Sequence, residues 1–341
     1  MKPTIKDIAK EAGVSPTTVS LVLNGRTSSV GKTTASTIRA IASKLNYQPN
    51  HIAKSLVTKK TQTIGLIIPN IVNPFFAELA LAIEESIATK GYNLVLTNTN
   101  ESNEKDLEYL NVLHARGVDG IFMALSPITT DRAKNAIIEA VNRLDIPVVA
   151  IDRWIDGLAC NLVAIDHRKG AYLATSHLLD LGHERIVMLS GPLSTYTGQL
   201  RLQGFKDAHE AYGFPYDESL MFEGDYTMTS GQALAASIVD KHPTAVFAAN
   251  DMMAIGLMRE ARNHGLKIPE DLSVIGFDNL TLASLIDTPL TTVHQPLKSL
   301  GEHAADMMLE KIKLSQTLNH NIKLDPEVII RSTTQPPRKK V

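Results

Sequence analysis

An apolar pattern that steps by three and four positions begins at Ile5. This is the spacing of one face of an α-helix. Thr4 and Asp7 stand at the positions of a capping box, and Gly13 is the residue type that commonly ends a helix. We therefore expect an amphipathic helix over residues 5–12. Its buried stripe comprises Ile5, Ile8, Ala9 and Ala12.

A second helix is expected directly after the first. Ser15 is a favoured N-cap, and Pro16 suits the first helical position, where its missing N–H would have no intrahelical acceptor. The pattern predicts a helix over residues 16–23 with two unlike faces. The inner face comprises Val19, Val22 and Leu23, and the outer face comprises Thr17, Ser20, Leu21 and Asn24.

A third apolar stripe predicts a further helix that ends before Pro49. Its buried positions are Ile38, Ile41, Ala42 and Leu45. Three short helices around one small core, with a tight turn at Gly13, are typical of a helix-turn-helix unit.

The stretch TTVSLVLNGRTSSVGKTT, residues 17–34, admits a competing interpretation. As a strand followed by Gly31-Lys32-Thr33, it resembles the phosphate loop of a nucleotide hydrolase. That motif requires four residues between its first glycine and Gly-Lys-Thr, whereas Gly25 and Gly31 enclose five. The chain upstream is also helical in pattern, so we favour the helix-turn-helix interpretation.

Beyond residue 60 the pattern changes to short apolar runs that alternate with amphipathic segments, which predicts βαβ units. One series contains the candidate strands 63–69, 92–98, 119–125 and 146–152. A second series contains 161–166, 185–191, 244–250 and 272–278. We expect residues 289–296 to cross back to the first lobe and residues 327–333 to return to the second.

The expected fold is a small all-α helix-turn-helix head with a hinge helix, followed by two α/β, Rossmann-like lobes that close on a ligand. The expected divisions are 1–48 for the head, 49–60 for the hinge helix and linker, 61–163 with 293–325 for the first lobe, 164–292 with 326–335 for the second lobe, and 336–341 for a tail.

Charge is unevenly distributed along the chain. Residues 1–60 contain ten Lys or Arg and two acidic residues, a net charge of +8, so the remaining residues carry -10 within the overall -2. A basic head on an acidic body points to a polyanion as the partner of the head. No apolar run approaches the roughly 20 residues of a membrane span. A single cysteine, Cys160, cannot form an internal disulfide, and we expect a cytoplasmic protein.

Polar and aromatic residues accumulate where the candidate strands end, the edge at which open α/β sheets bind ligands. Carboxylate, amide and guanidinium groups suit adjacent hydroxyls, and an aromatic face covers the C–H patch of a sugar ring. A small carbohydrate is therefore the expected effector. The expected effector-binding residues are Asn73, Phe75, Phe76, Asp152, Arg153, Thr197, Arg201, Tyr226, Asn250, Asp278 and Gln295.

Structural roles compete for several of these positions. An acidic or amide residue at a strand end often caps the next helix, and Asn73-Pro74 has the form of a helix start. Asp251 follows Asn250 and shares this ambiguity. Trp154 is either a platform for a ring or a partly buried core residue.

Several kinds of chemistry lack their sequence pattern. No G-x-G-x-x-G follows a candidate strand, and His177 and His183 do not have the spacing of a helical metal pair. We expect no cofactor and no metal. Asp152 and Asp278 are the residue types of a glycosidase pair, but that role would leave the basic head without a function.

The motifs TIKDIAKEAGVSPTTVSLVLNG and LNYQPNHIAKSL resemble the DNA-binding head of the LacI/GalR (lactose-repressor) family. The lobe pair is similar to periplasmic sugar-binding proteins, with NPFF, IDR, ND and FD most like a ribose-type site. The resemblance implies that helix 16–23 enters the major groove of a pseudo-palindromic, double-stranded operator, and that residues 50–57 form a hinge helix. The implied DNA-binding residues are Thr4, Ser15, Pro16, Thr17, Thr18, Ser20, Leu21, Asn24, Asn50, Ala53 and Leu56.

Within that set, the resemblance places Pro16, Thr17 and Leu21 at base edges and implies that Leu56 wedges between base pairs in the minor groove. Many relatives carry Arg or His where this chain has Leu21. Because two of the three reading positions cannot donate a hydrogen bond, we expect contacts with thymine methyl groups and specificity from a central kink. The alternative is that Leu21 packs inside the head.

The sequence thus predicts a homodimeric transcription regulator, a repressor of carbohydrate use, that responds to a small sugar such as a pentose. The competing hypotheses are a cytoplasmic sugar enzyme, a sugar-binding module, and a regulator whose effector is a purine or a phosphoprotein corepressor.

Overall fold

The computed structural model describes residues 3–25, 29–47, 60–314 and 321–338. The chain forms two compact units, Met1–Thr61 and Gln62–Val341, which we call the head and the effector unit. Asn50, Ala53 and Leu56, with the predicted hinge helix, lie outside the described residues. No helix of the described segments is long and apolar enough to cross a membrane.

The described part of the head contains α1 (Ile5–Ala12), α2 (Pro16–Leu23) and α3 (Lys32–Lys44). The predicted bounds of α1 and α2 are confirmed. The Asp7 carboxylate accepts a hydrogen bond from the Thr4 backbone N–H at 2.8 Å, and the chain leaves α1 through Gly13 at a φ of 65°. The Ser15 hydroxyl accepts from the Thr18 N–H at 3.1 Å. These local bonds explain why each helix begins and ends where it does.

The predicted stripes meet in one core. The buried members are Ile8, Ala9, Val19, Val22, Ala35, Ile38 and Ala42, with Ile5, Ala12, Leu23, Ile41 and Leu45 among the side chains packed on them. Residues 17–23 are helical and Lys32 begins α3, so the phosphate-loop interpretation is wrong.

The effector unit contains two six-stranded sheets in its described residues. The first sheet has the order β11-β5-β4-β3-β1-β2, and every pairing in it is parallel. Its strands are β1 (Thr63–Ile68), β2 (Asn93–Asn98), β3 (Gly120–Met123), β4 (Val148–Ile151), β5 (Asn161–Ile165) and β11 (Ile322–Leu324). Its helices are α4 (Pro74–Ala88), α5 (Asn103–Ala115), α6 (Asp131–Arg143) and α12 (Leu297–Leu314). We call this sheet and its helices the first lobe.

The second sheet has the order β12-β10-β9-β8-β6-β7 and is parallel except for β12. Its strands are β6 (Ile186–Ser190), β7 (Met221–Glu223), β8 (Ala245–Ala248), β9 (Ser273–Asp278), β10 (Thr291–His294) and β12 (Glu327–Ile329). The helices of this second lobe are α7 (His167–Asp180), α8 (Tyr196–Ala211), α9 (Met228–Val239), α10 (Asp251–Asn263) and α11 (Thr281–Leu285).

Two assignments of strands to lobes were wrong. The run 161–166 was expected to open the second series, but β5 pairs with β4 and β11 in the first sheet, and the expected boundary at residue 163 falls inside it. Residues 293–294 were assigned to the first lobe, but β10 pairs with β9 and β12 in the second sheet. A strand joins the sheet that offers it a hydrogen-bonding edge, and an apolar run does not specify that edge.

The two lobes are joined by three crossings of the chain within the described residues. They lie between β5 and α7, between β10 and α12, and between β11 and β12. Short parallel connections of this kind allow two lobes to move as rigid bodies about a cleft.

Candidate functional site

Ten of the eleven predicted effector-binding residues line one cleft between the lobes. They are Asn73, Phe75, Phe76, Asp152, Arg153, Thr197, Arg201, Tyr226, Asn250 and Asp278. The eleventh, Gln295, donates a hydrogen bond from Nε2 to Asp278 Oδ1 at 2.7 Å. The side chains of the cleft leave a cavity of about 20 Å³ between them, room for one water molecule.

Three of the cleft residues occupy the left-handed region of the backbone. Asp152 has a φ of 64°, Tyr226 of 68° and Asp278 of 116°. Residues other than glycine adopt such values only where the surrounding structure enforces them, and such positions cluster at binding sites. Asp152 directly follows β4, Asp278 ends β9, and Tyr226 lies three residues after β7.

Arg201, on α8, is the central side chain that the second lobe contributes to the cleft. Its guanidinium is 4% exposed, donates to the carbonyl oxygen of Ala249, and lies with Nη2 3.6 Å from Asp278 Oδ1. The guanidinium carbon stands 3.7 Å from the ring centroid of Phe277. An arginine held this tightly is a preorganised donor for a ligand oxygen.

Arg153 makes the corresponding contribution from the first lobe. It follows β4 and donates from Nη1 to the Leu125 carbonyl oxygen at 2.9 Å. Its guanidinium carbon lies 5.3 Å from the ring centroid of Phe76 and 6.0 Å from that of Tyr226. The cation therefore covers aromatic faces that a flat ligand would need for stacking.

The pKa values of the two carboxyl groups of the cleft are shifted in opposite directions. Burial raises the pKa of Asp278 well above its ordinary value, against the opposing charge of Arg201. Burial also acts to raise the pKa of Asp152, but contact with His167 and the charge of Arg201 outweigh it and hold the pKa below the usual range. The cleft thus contains two carboxyl groups whose pKa values are shifted in opposite directions by their surroundings.

His167 is a site residue that our sequence reasoning missed. It is fully buried at the start of α7, with Nε2 3.1 Å from Asp152 Oδ1 in a contact too bent for an aligned hydrogen bond, and with Nδ1 3.3 Å from Arg201 Nη2. Burial lowers its pKa, so the imidazole is neutral at pH 7. The available signal was its position two residues after the end of β5.

Two predicted binding residues, Asn73 and Asn250, also cap helices, the structural role that the sequence offered as an alternative to binding. Asn73 caps α4 through Phe75, and Asn250 caps α10 through Met253, each with its side-chain oxygen. Asn250 also donates from Nδ2 to the Tyr226 carbonyl oxygen at 2.9 Å. Both residues nevertheless line the cleft.

Asp251 and Trp154 do not line the cleft. The Asp251 carboxylate accepts hydrogen bonds from the Leu280 N–H and the Thr292 hydroxyl, and so ties β10 to the turn after β9. Trp154 packs against apolar clusters of the first lobe. Its position agrees with the partial-core alternative.

Among the residues that line the cleft, three buried polar atoms have no hydrogen-bond partner in the described structure: the donors Arg153 Nε and Arg201 Nε and the acceptor Asp152 Oδ1. His167 Nε2 and Gln295 Oε1, beside the cleft, have none either. Buried polar groups normally form hydrogen bonds, and a buried group left without a partner costs free energy. Donors and acceptors interspersed in this way match a ligand whose groups both donate and accept.

Behind Arg153 lies a buried polar network centred on Asp106 of α5. Its carboxylate accepts from the Ser126 hydroxyl at 3.1 Å and from Asn103 Nδ2 at 3.3 Å. Ser126 in turn shares a hydrogen bond with the Thr99 hydroxyl at 2.8 Å. Burial raises the pKa of Asp106 to about 6, so its proton is lost within an accessible pH range.

This network predicts a pH-dependent stability. The folded-state pKa of Asp106 exceeds the unfolded value, so the protonated carboxyl group adds to the free energy of unfolding. This stabilisation, at most about 3 kcal/mol, is complete below about pH 4 and is lost as the pH rises through about 6. We expect Asp106→Asn to remove this component from urea unfolding measured between pH 4.5 and 7, whereas the exposed Asp156→Asn keeps it. Identical pH profiles for wild type and Asp106→Asn would contradict the assignment.

On α2, the implied base-reading residues face away from the head core. Pro16 and Thr17 are exposed. Leu21 is half-buried but is not among the side chains packed on the described core, which argues against the alternative that it packs inside the head. Asn24 Nδ2 donates to the Ser20 carbonyl oxygen at 2.8 Å, so this amide also ends the helix.

The remaining implied DNA-binding residues of the head lie at the helix starts or on the outer surface of α2. Thr4 and Ser15 are exposed, and Thr18 and Ser20 are half-buried. The Thr4 hydroxyl donates to Asp7 at 2.7 Å, and the Ser15 and Thr18 hydroxyls lie 2.9 Å apart. The described structure contains no group of His, Cys, Asp and Glu that would hold a metal ion.

Comparison with known families matches both units. Residues 4–50 match the family described as bacterial regulatory proteins, lacI family. Residues 61–333 match the family described as periplasmic binding proteins and sugar binding domain of LacI family.

Two characterised relatives match almost end to end. The HTH-type transcriptional repressor PurR of Vibrio parahaemolyticus is 37% identical, over 97% of this chain and 98% of its own. The HTH-type transcriptional regulator DegA of Bacillus subtilis is 37% identical, over 98% and 99%.

Solved structures have the same fold. A lac repressor dimer bound to operator and the anti-inducer ONPF has a TM-score of 0.88 at 29% identity, covering 98% of this chain and 100% of that one. A LacI family transcriptional regulator from Enterococcus faecium with bound ribose has a TM-score of 0.73 at 34% identity, covering 81% and 100%.

Proposed function

Because the chain belongs to the LacI family of bacterial regulatory proteins, we propose that it represses carbohydrate-use genes by binding a pseudo-palindromic operator. A pentose resembling ribose, bound between the lobes, would control that binding. The unpaired donors and acceptor in the cleft are the observation that carries the effector assignment.

DNA binding is supported by the charge and the exposed face of the head. The net charge of +8 over residues 1–60 suits a phosphate backbone, and Thr17 and Leu21 are the proposed base contacts. Because Leu21 offers only apolar contact, we expect recognition of thymine methyl groups at its position. The lac repressor structure that shares this fold is bound to operator.

A sugar is favoured as effector by the chemistry of the cleft. Each hydroxyl of a pentose donates and accepts, so adjacent hydroxyls satisfy the Arg201 and Arg153 donors and the Asp152 acceptor together. The free cavity of about 20 Å³ is too small for any such ligand, so binding requires the lobes or side chains to open. The related Enterococcus faecium regulator has bound ribose.

A purine is the second candidate, because relatives named PurR are 37% identical along nearly the whole chain. Phe75, Phe76 and Tyr226 supply aromatic surface for a base. Against this candidate, Arg153 already lies over the rings of Phe76 and Tyr226 and would have to move to allow stacking.

A homodimer is supported by exposed apolar side chains on the effector unit. Leu81 of α4 is 58% exposed and Leu285 of α11 is 74% exposed. These two helices are tied by a hydrogen bond from the Thr281 N–H to Glu78 Oε1 at 3.2 Å, so the apolar residues share one region of the surface. Burying them against a second copy suits a palindromic site.

The proposed function predicts two results for the purified protein. A pseudo-palindromic sequence is selected from a random duplex library, with affinity that falls steeply with salt. At 100 times Kd, D-ribose raises the free energy of unfolding by about 2.7 kcal/mol, measured by urea unfolding with the fluorescence of the single Trp154, and it changes operator affinity.

Controls separate the alternatives. Hypoxanthine and guanine, tested in parallel, would give the stabilisation instead of D-ribose if the effector is a purine. Conversion of D-ribose to a product would establish the enzyme hypothesis. Failure to select any operator would contradict the proposed DNA-binding function.

A further inference from the structure

The second lobe contains another cavity, which we call the amino-end cavity, of about 240 Å³. Ile186 at the start of β6 and Leu220 just before β7 lie on its wall, and so does Phe205 of α8. It therefore opens at the amino ends of the strands whose carboxyl ends face the effector cleft. At about 3.3 Å per residue, the five residues of β6 separate the two sites by roughly 15 Å.

A buried histidine supplies the cavity with one defined polar group. His209 is 5% exposed, and its Nδ1 lies 3.0 Å from the Phe205 carbonyl oxygen one turn earlier on α8. A carbonyl only accepts, so Nδ1 carries the proton, and Nε2, on the other side of the ring from that carbonyl, is an acceptor. Burial lowers the pKa of His209, which keeps the imidazole neutral. Nε2 has no hydrogen-bond partner in the described structure.

The remaining wall is mostly apolar and aromatic. The Phe205 and His209 rings are 4.3 Å apart at 49°, and the half-buried Phe214 lies on the loop that follows α8. A volume of about 240 Å³ corresponds to about eight waters, far more than one acceptor can anchor. Replacing weakly held water beside aromatic walls with a ring is favourable.

Charged groups of both signs stand at the mouth. Arg185 donates from Nε to the Lys241 carbonyl oxygen at 2.8 Å, and Asp217 Oδ1 accepts from the Ser219 N–H at 2.9 Å. The hydrogen bonds from Ser219 lower the pKa of Asp217, so it is ionised. Glu184 also lines the cavity, and all three charged residues are exposed at its rim. His209 supplies the buried polar group.

We propose that the amino-end cavity is a second ligand site, for a small, uncharged planar ring that bears one O–H or N–H donor. The ring lies against Phe205 and Phe214, and its donor bonds His209 Nε2. This site is independent of the effector cleft and of the proposed function.

Phenol and fluorobenzene test the site, because they are similar in size and differ in the donor. Titration of the full-length protein, followed by ligand-observed NMR, is expected to show phenol binding at least about tenfold more tightly. His209→Leu abolishes the preference. His264→Leu is the matched control, because His264 makes the same Nδ1 contact with a carbonyl one turn back, at 3.0 Å, but on the exposed surface.

A second readout does not depend on the folding of a variant. In wild-type protein labelled with ¹⁵N-histidine, phenol is expected to shift an unprotonated Nε2 resonance that fluorobenzene leaves in place. Equal binding of the two probes, no binding of either, or unchanged phenol preference in folded His209→Leu would each overturn the proposal. Loss of phenol binding in Arg153→Leu would also overturn it, because Arg153 lines the effector cleft from the first lobe and the probe would then occupy that cleft.

Discussion

Replacing Arg201 with leucine is expected to destabilise the effector unit by about 3 kcal/mol and to weaken D-ribose binding by at least about 100-fold. The change removes a buried cation and leaves the Ala249 carbonyl oxygen and the Asp278 carboxyl without it. Because Arg201 opposes the raised pKa of Asp278, its loss lets Asp278 take up a proton more readily, and the destabilisation should be smaller at pH 5 than at pH 8.

Urea unfolding followed by Trp154 fluorescence measures the first effect, and calorimetric titration measures the second. Arg168→Leu is the matched control in the same lobe. Arg168 pairs with Asp207 through an Nε–Oδ2 contact of 2.5 Å, but its side chain is 54% exposed, so its loss should cost less than about 1 kcal/mol. Equal effects of the two substitutions would show that burial of Arg201 contributes nothing.

Gly256→Ala is expected to destabilise the effector unit by about 3 kcal/mol or more, although alanine is ordinarily the better helix former. A Cβ on Gly256 of α10 would stand only 2.0 Å from the Met228 carbonyl oxygen of α9. The opposite glycine of this crossing, Gly231, would place a Cβ 2.2 Å from the Met253 carbonyl oxygen. Both obstacles are backbone atoms, so the helices must separate to admit the methyl group.

The same fluorescence measurement tests this prediction. Ser237→Ala serves as the control, because Ser237 is exposed on α9 and a methyl group is accommodated there. Its unfolding free energy should stay within about 0.5 kcal/mol of wild type. Gly256→Ala protein that is as stable as wild type, or more so, would rule out the close crossing of α9 and α10.

Local chemistry determined the elements of this protein. In the head, Thr4 with Asp7 and Ser15 with Pro16 define helix starts through contacts within three residues, so the sequence predicted α1 and α2 to the residue. The apolar runs likewise predicted most of the strands. The short strands β7 and β11 were missed, since three residues each carry too little pattern.

The sequence also determined which residue types stand at the strand ends and on the helices that follow them, and ten residues predicted from these positions line the cleft. Parallel strands place their carboxyl ends at one edge, so position along the chain was sufficient for Asp152, Asn250 and Asp278. The role of these residues in binding stays a prediction, as do the base contacts assigned to α2.

Only the tertiary structure decided the partners of these elements and residues. The sheet that β5 joins, and the separation of Asp278 in the cleft from Asp251 behind it, depend on contacts with segments far away in the chain. The same holds for His167 of the second lobe, whose contact with Asp152 joins it to the first lobe. Caps and apolar spacing act within a turn or two, whereas burial, charge and unpaired hydrogen-bonding groups are defined only once distant segments pack together.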